Sequence, residues 1–137
     1  MLTSQNLYDL AKCRFDEAKI LLANDKPDGA IYLLGYALEL MLKRRIVHLL
    51  DWEGYPESDG DFKGKGSFRI HNLDLLLHFS GLEKKIKENN VLFARWQIAR
   101  TWDSEVRYKV IGKISKEEVE GVLNATRDIL NFISNTK

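Results

Sequence analysis

The sequence predicts an all-α fold, an up-and-down bundle of four to five helices in a single domain spanning residues 1–137. Apolar residues recur at helical spacing in the N-terminal and C-terminal segments. The segment 30–50 is apolar on every side of a helix, so other helices must cover it. No stretch alternates apolar and polar residues as a half-buried strand would. Helices of this kind, joined by turns around one core, form a bundle.

The first two helices are predicted to form a hairpin. Thr3 or Ser4 caps the first helix, which runs to Asn24 and carries an apolar stripe. Pro27 suits the first turn of the second helix, which ends near Leu50. Because the connection between them is so short, the two helices should pack as antiparallel neighbours.

The rest of the chain divides into a long loop and shorter helices. Residues 51–69 are polar and glycine-rich, and loops of that length are either functional or flexible. The later elements follow in order: a helix from cap Asn72 to Ser80 closed by Gly81, a turn at 83–87, a helix at 91–101, and a last helix opened by a capping box of Ser115 and Glu118.

Composition excludes several classes of protein. The net charge is +1, although residues 84–116 hold nine basic and three acidic side chains, which suits a phosphate-binding surface or a solvated one. Cys13 is the single cysteine, so we expect no disulfides and a reducing, cytoplasmic location. Charges interrupt the longest apolar run, which predicts no membrane span. We find no metal-ligand spacing and no cofactor motif, and expect neither group.

Polar residues occupy positions where apolar ones are expected. Arg14 falls near the centre of the first apolar stripe, where an unpaired charge would be costly. One face of the second helix collects Tyr32, Gly35, Tyr36, Glu39 and Lys43. Arg14 is predicted to meet Glu39 across the hairpin. The pair is either a structural ion pair or part of a pocket in which Arg14 and Lys43 hold phosphate.

Two further groups are candidates for a site. His71 precedes the cap of the third helix and is either a packing residue or a functional one. Trp102, Arg107 and Tyr108 lie within seven residues of one another. Such a group either stacks a base and holds a phosphate or anchors a connection to the core by cation–π packing.

Four segments in this order resemble the HEPN domain (higher eukaryotes and prokaryotes nucleotide-binding): AKCRFDEAKILL, GAIYLLGYALELMLK, HNLDLLLHFSGL and WDSEVRY. The resemblance implies an all-α bundle that forms a homodimer and is tied to nucleotide or RNA chemistry. It also implies pairing with a small nucleotidyltransferase, in a toxin–antitoxin or defence system.

The chain departs from the ribonuclease members of that family, which carry an arginine and a histidine separated by four to six residues. Arg44 stands only three residues before His48, and no other arginine fits. The sequence therefore favours a non-nuclease module that binds a nucleotide or a partner, with ligand contacts from Arg14, Glu39, Lys43, His71, Trp102, Arg107 and Tyr108. Two alternatives remain: a metal-independent ribonuclease that uses Arg44 and His48, and a purely structural subunit.

Overall fold

The computed structural model describes residues 1–101 and 112–136, and this part of the chain is mostly helical. Six α-helices are present there: α1 (Ser4–Ala23), α2 (Pro27–Leu49), α3 (Leu73–Ser80), α4 (Glu83–Glu88), α5 (Asn90–Ala99) and α6 (Lys116–Asn135). A short antiparallel pair, β1 (Leu2–Thr3) and β2 (Gly54–Tyr55), and a 3-10 helix (Gly66–Phe68) complete it. The predicted all-α class is confirmed.

The predicted helix starts and ends match the structure closely. Thr3, one of the two candidates, caps α1 through a capping box with Asn6. Pro27 occupies the first turn of α2, and three residues separate it from the end of α1. Asn72 caps α3, and Gly81 closes it in the left-handed region with φ of 77°. These positions were predictable because each depends on one local residue type.

Helix α2 is the centre of the bundle. Its buried residues lie on every side of the helix, as the apolar pattern required. Helices α1, α6 and α3 all pack against it, so three neighbours supply the predicted cover. Tyr32 and Tyr36 are the aromatic side chains of α2 that remain exposed. The face that carries them is therefore one part of α2 that remains available for other contacts.

The middle of the chain contains more structure than the sequence predicts. Residues 83–87 were expected to be a turn but form α4, so the described residues hold six helices instead of four or five. The loop 51–69 contains β2 and the 3-10 helix. Its Trp52 ring meets Phe68 edge-on at 4.9 Å between centroids, and Tyr55 is fully buried. Aromatic packing thus folds a polar, glycine-rich segment onto the core.

None of the helices in residues 1–101 and 112–136 is long and apolar enough to cross a membrane.

Candidate functional site

Glu39 is the centre of the candidate site. Its carboxylate is buried in the middle of α2, where one oxygen accepts a hydrogen bond from Lys43 Nζ at 3.2 Å. The other oxygen lies 3.1 Å from Nδ1 of His71. One helical turn brings Lys43 beside Glu39, and the segment that enters α3 brings His71. Both oxygens of a buried carboxylate are therefore occupied, which such a group requires.

Tyr55 completes what we call the Glu39 cluster: Glu39, Lys43, Tyr55 and His71. The Lys43 ammonium lies 5.0 Å from the centroid of the Tyr55 ring, a cation–π distance. The Tyr55 hydroxyl donates to the carbonyl of Phe68. Burial, and to a smaller degree the charge of Glu39, raises the pKa of this phenol. Tyr55 therefore remains a neutral hydrogen-bond donor at physiological pH.

Tyr36 connects the cluster to the surface. It lies on α2 between Tyr32 and Glu39, and its ring is partly exposed. Burial raises the pKa of its hydroxyl first, and the negative charge of Glu39 adds to that. The positive charge of Arg14 acts on the same hydroxyl in the opposite direction. Charges from both α1 and α2 therefore act on the Tyr36 hydroxyl.

The predicted pairing of Arg14 with Glu39 is wrong in detail. Arg14 forms its ion pair with Glu17, one turn along α1, at 3.0 Å. It also donates a weak hydrogen bond to Sγ of Cys13 at 3.6 Å. Glu39 already accepts from two closer partners, and the Arg14 side chain is 30% exposed. A cation that can reach water gains little by entering an already paired site.

The histidine and arginine of the ribonuclease alternative lie elsewhere. Nε2 of His48 contacts Oγ of Ser4, at the start of α1. The Arg44 guanidinium lies 4.8 Å from the centroid of the Tyr8 ring. Burial lowers the pKa of His48, and the charges of Arg44 and then Arg45 lower it further. His48 is therefore a neutral imidazole at pH 7.

Sequence reasoning found three of the four residues of the Glu39 cluster and missed Tyr55. Glu39 and Lys43 share a helix face, and His71 precedes a visible cap, so each carries a local signal. Tyr55 reaches the cluster from a loop, by a contact that no spacing encodes. The remaining predicted ligand residues, Trp102, Arg107 and Tyr108, lie outside the described residues.

The cluster offers hydrogen bonding and aromatic stacking. In the part of the chain that the structure describes, no group of three or more His, Cys, Asp or Glu side chains could hold a metal ion. Fold and site together define the class of protein: an all-α protein with a buried, hydrogen-bonded carboxylate close to partly exposed tyrosines. No family model, no curated protein and no solved structure matches the chain.

Proposed function

We propose that this chain is a non-nuclease, HEPN-like module that binds a nucleotide or an RNA phosphate. The observation that supports the proposal most directly is the Glu39 cluster itself. A buried carboxylate, fixed by Lys43 and His71, lies one helical turn from the partly exposed ring of Tyr36. Fixed polar groups beside an apolar surface are typical of small-molecule sites.

Each residue of this face has a distinct part in the proposal. The rings of Tyr36 and Tyr32, which are 37% and 39% exposed, stack against the base. The carboxylate of Glu39 accepts a hydrogen bond from an exocyclic amino group of that base. This bond replaces the one from His71, whose side chain is exposed and can move into solvent. Lys43 stays in place and orients Glu39.

Arg14 holds the phosphate. Its present partner, Glu17, is 43% exposed, and surface ion pairs of this kind contribute little stability. A phosphate offers the guanidinium a stronger, bidentate partner. Exchanging Glu17 for phosphate is therefore favourable. The basic segment with Trp102, Arg107 and Tyr108 adds base and phosphate contacts in the same proposal, on the strength of the sequence resemblance.

The same resemblance supports two protein partners, a second copy of the chain and a small nucleotidyltransferase, and a cytoplasmic location. The exposed tyrosines of α2 suit a protein contact as well as a base, because aromatic side chains are enriched at interfaces. Light scattering on the pure protein measures the first association. Co-purification with the product of a neighbouring nucleotidyltransferase gene measures the second. A monomer that captures no such enzyme contradicts this part of the proposal.

The central test is a titration with ATP, AMP and GMP followed by calorimetry. We expect binding that Tyr36→Ala weakens about tenfold, whereas Tyr36→Phe retains it, since stacking needs only the ring. Arg14→Gln should weaken binding of nucleotides but not of nucleosides. Arg95→Gln is the matched control, because Arg95 forms an equivalent surface pair with Asp128 at 3.0 Å. No binding at millimolar nucleotide, or equal losses in both arginine variants, contradicts the proposal.

The ribonuclease alternative has one supporting observation, a neutral His48 near Arg44. A neutral imidazole has the protonation state of a general base. The non-nuclease proposal predicts that RNA stays intact during long incubation with the pure protein and a metal chelator. Cleavage that His48→Ala abolishes would establish the alternative instead. Capture of a partner without any nucleotide binding would favour the structural subunit.

A further inference from the structure

A cavity of about 250 Å³ lies between α1 and α6, on the side of α1 away from Arg14. Residues two apart on a helix point about 200° from each other, so Lys12 faces this cavity while Arg14 faces the opposite side. The buried side chains of Met41 and Leu130 and the ring of Phe15 form an apolar part of the lining, and Asn131 and Ser134 add polar groups. We call it the α1–α6 cavity.

Cations line the opening of this cavity and lack anionic partners. Lys12, Lys19 and Arg127 all border it, against the one carboxylate of Asp16. Within residues 1–101 and 112–136, none of these four charged groups forms an ion pair. Elsewhere on the described surface some cations do pair, as Lys84 does with Glu88 and Lys116 with Asp25. With three cations against one carboxylate, the opening of the cavity has a net positive charge.

Aromatic rings hold two of these cations at the opening. The Lys12 ammonium lies 5.9 Å from the centroid of the Tyr8 ring, and the Arg127 guanidinium lies 5.6 Å from that of Phe15. Cation–π contacts orient a cation without neutralising its charge. Lys12 and Arg127 are thus positioned on either side of the same opening with their hydrogen-bond donors available, apart from one donated by Arg127 to Asn124.

We propose that the α1–α6 cavity binds a small phosphate monoester whose organic part is a single flat, apolar ring. The phosphate lies between Lys12, Lys19 and Arg127, where its charge replaces their mutual repulsion with hydrogen bonds. The ring contacts Phe15 and Met41 inside. The volume is slightly below the usual range for ligand pockets, which selects a one-ring ligand. This inference goes beyond the proposed function, because the site lies across α1 from Tyr36 and uses none of the same residues.

The first experiment separates ring from charge with three probes: phenyl phosphate, inorganic phosphate and phenol. Two-dimensional amide NMR follows α1 and α6 during each titration. We expect phenyl phosphate to bind at least about tenfold more tightly than either of the other probes, because it alone satisfies both parts of the site. Shifts should concentrate around Lys12, Phe15 and Arg127. Equal affinity for phenyl phosphate and inorganic phosphate would overturn the proposal.

The second experiment removes single charges. Lys12→Gln and Arg127→Gln should each weaken phenyl phosphate about tenfold, the loss expected for one charge-assisted hydrogen bond. Lys84→Gln is the matched control, since it removes one positive charge from the exposed surface of α4. All three residues are exposed, so the variants should fold, and thermal unfolding verifies it. An equal loss in Lys84→Gln would reduce the effect to net charge and overturn the proposal.

The experiments distinguish failure of the proposed nucleotide site from failure of the proposed α1–α6 cavity site. Tyr36→Ala should leave phenyl phosphate binding unchanged, and Lys12→Gln should leave nucleotide binding at Tyr36 unchanged. If Tyr36→Ala weakens phenyl phosphate as strongly as Lys12→Gln does, the ligand binds at the Glu39 face and the α1–α6 cavity is not its site.

Discussion

The Glu39 cluster and the α1–α6 cavity lie on opposite sides of the α1–α2 hairpin and treat charge differently. In the cluster, a buried carboxylate accepts from Lys43 and His71, so each charged group has a partner. Around the cavity, Lys12 and Lys19 carry no ion pair within the described residues. Pairing fixes the cluster as part of the folded structure. The cations around the cavity have no such partner, so they remain available to an anionic ligand as the proposed phosphate site requires.

Among substitutions at these two regions, we expect the largest loss of stability at Glu39. Glu39→Ala should lower the free energy of unfolding by about 3 kcal/mol, because it leaves the Lys43 ammonium largely buried without its carboxylate. Urea denaturation followed by circular dichroism measures the change. Glu17→Ala is the control: that carboxylate belongs to an exposed pair, and its loss should cost less than about 1 kcal/mol. Equal costs at the two positions would break the comparison.

A double-mutant cycle tests the second hydrogen bond of the cluster. Glu39→Gln and His71→Ala, made singly and together, should show a coupling of about 1 kcal/mol, as expected for residues in one hydrogen-bonded network. The same cycle on Lys19 and Arg127 should show no favourable coupling, because those cations share a cavity without bonding to each other. A favourable coupling between the two cations would contradict the distinction.

Acidification should have a smaller effect on stability, through His48. His48 follows Arg44 by one helical turn, and the Arg44 guanidinium contacts the ring of Tyr8, which lines the α1–α6 cavity. The pKa of His48 is lowered by burial and by the two arginines. Near pH 6 the folded protein binds fewer protons at His48 than the unfolded chain does. The contribution of His48 to the free energy of unfolding is therefore fully present above pH 6.5 and is lost as the pH falls. Unfolding measured between pH 7.5 and 5.5 should therefore show a decline that is weaker in His48→Gln. An identical slope in both proteins would exclude this linkage.

The smallest effect is expected at Lys19. Removing one of several unpaired cations relieves repulsion, so Lys19→Gln should raise the free energy of unfolding by a few tenths of a kcal/mol at low salt. The gain should disappear near 1 M salt, where charges are screened within about 3 Å. Thermal unfolding at two salt concentrations measures it. A loss of more than about 1 kcal/mol would assign Lys19 a structural role.

Local signals explain what could be predicted. Thr3, Pro27, Asn72 and Gly81 each mark a helix end through one residue type, and the structure places the ends there. The face of α2 with Tyr36, Glu39 and Lys43 followed from spacing alone. By contrast, α4 is a six-residue helix with one buried side chain, Ile86, which is too little apolar pattern for prediction.

The features that could not be predicted depend on contacts between distant segments. Arg14 and Glu39 were correctly placed on facing helices, but spacing could not show that His71 would occupy the second carboxylate oxygen instead. Tyr55 enters through the loop for the same reason. The α1–α6 cavity depends on how α6 lies across α1, and its lysines read as ordinary solvated residues in the sequence.

Gly54 allows the loop that carries Tyr55 to pack closely against β1. A side chain there would meet the carbonyl oxygen of Leu2 at 2.6 Å, so β1 and β2 can approach only because this residue is glycine. The neighbouring residue is Tyr55, whose ring covers Lys43. Separation of the two strands would draw that ring away and admit solvent to the lysine. The pairing of β1 with β2 therefore helps to keep solvent away from the Glu39–Lys43 ion pair.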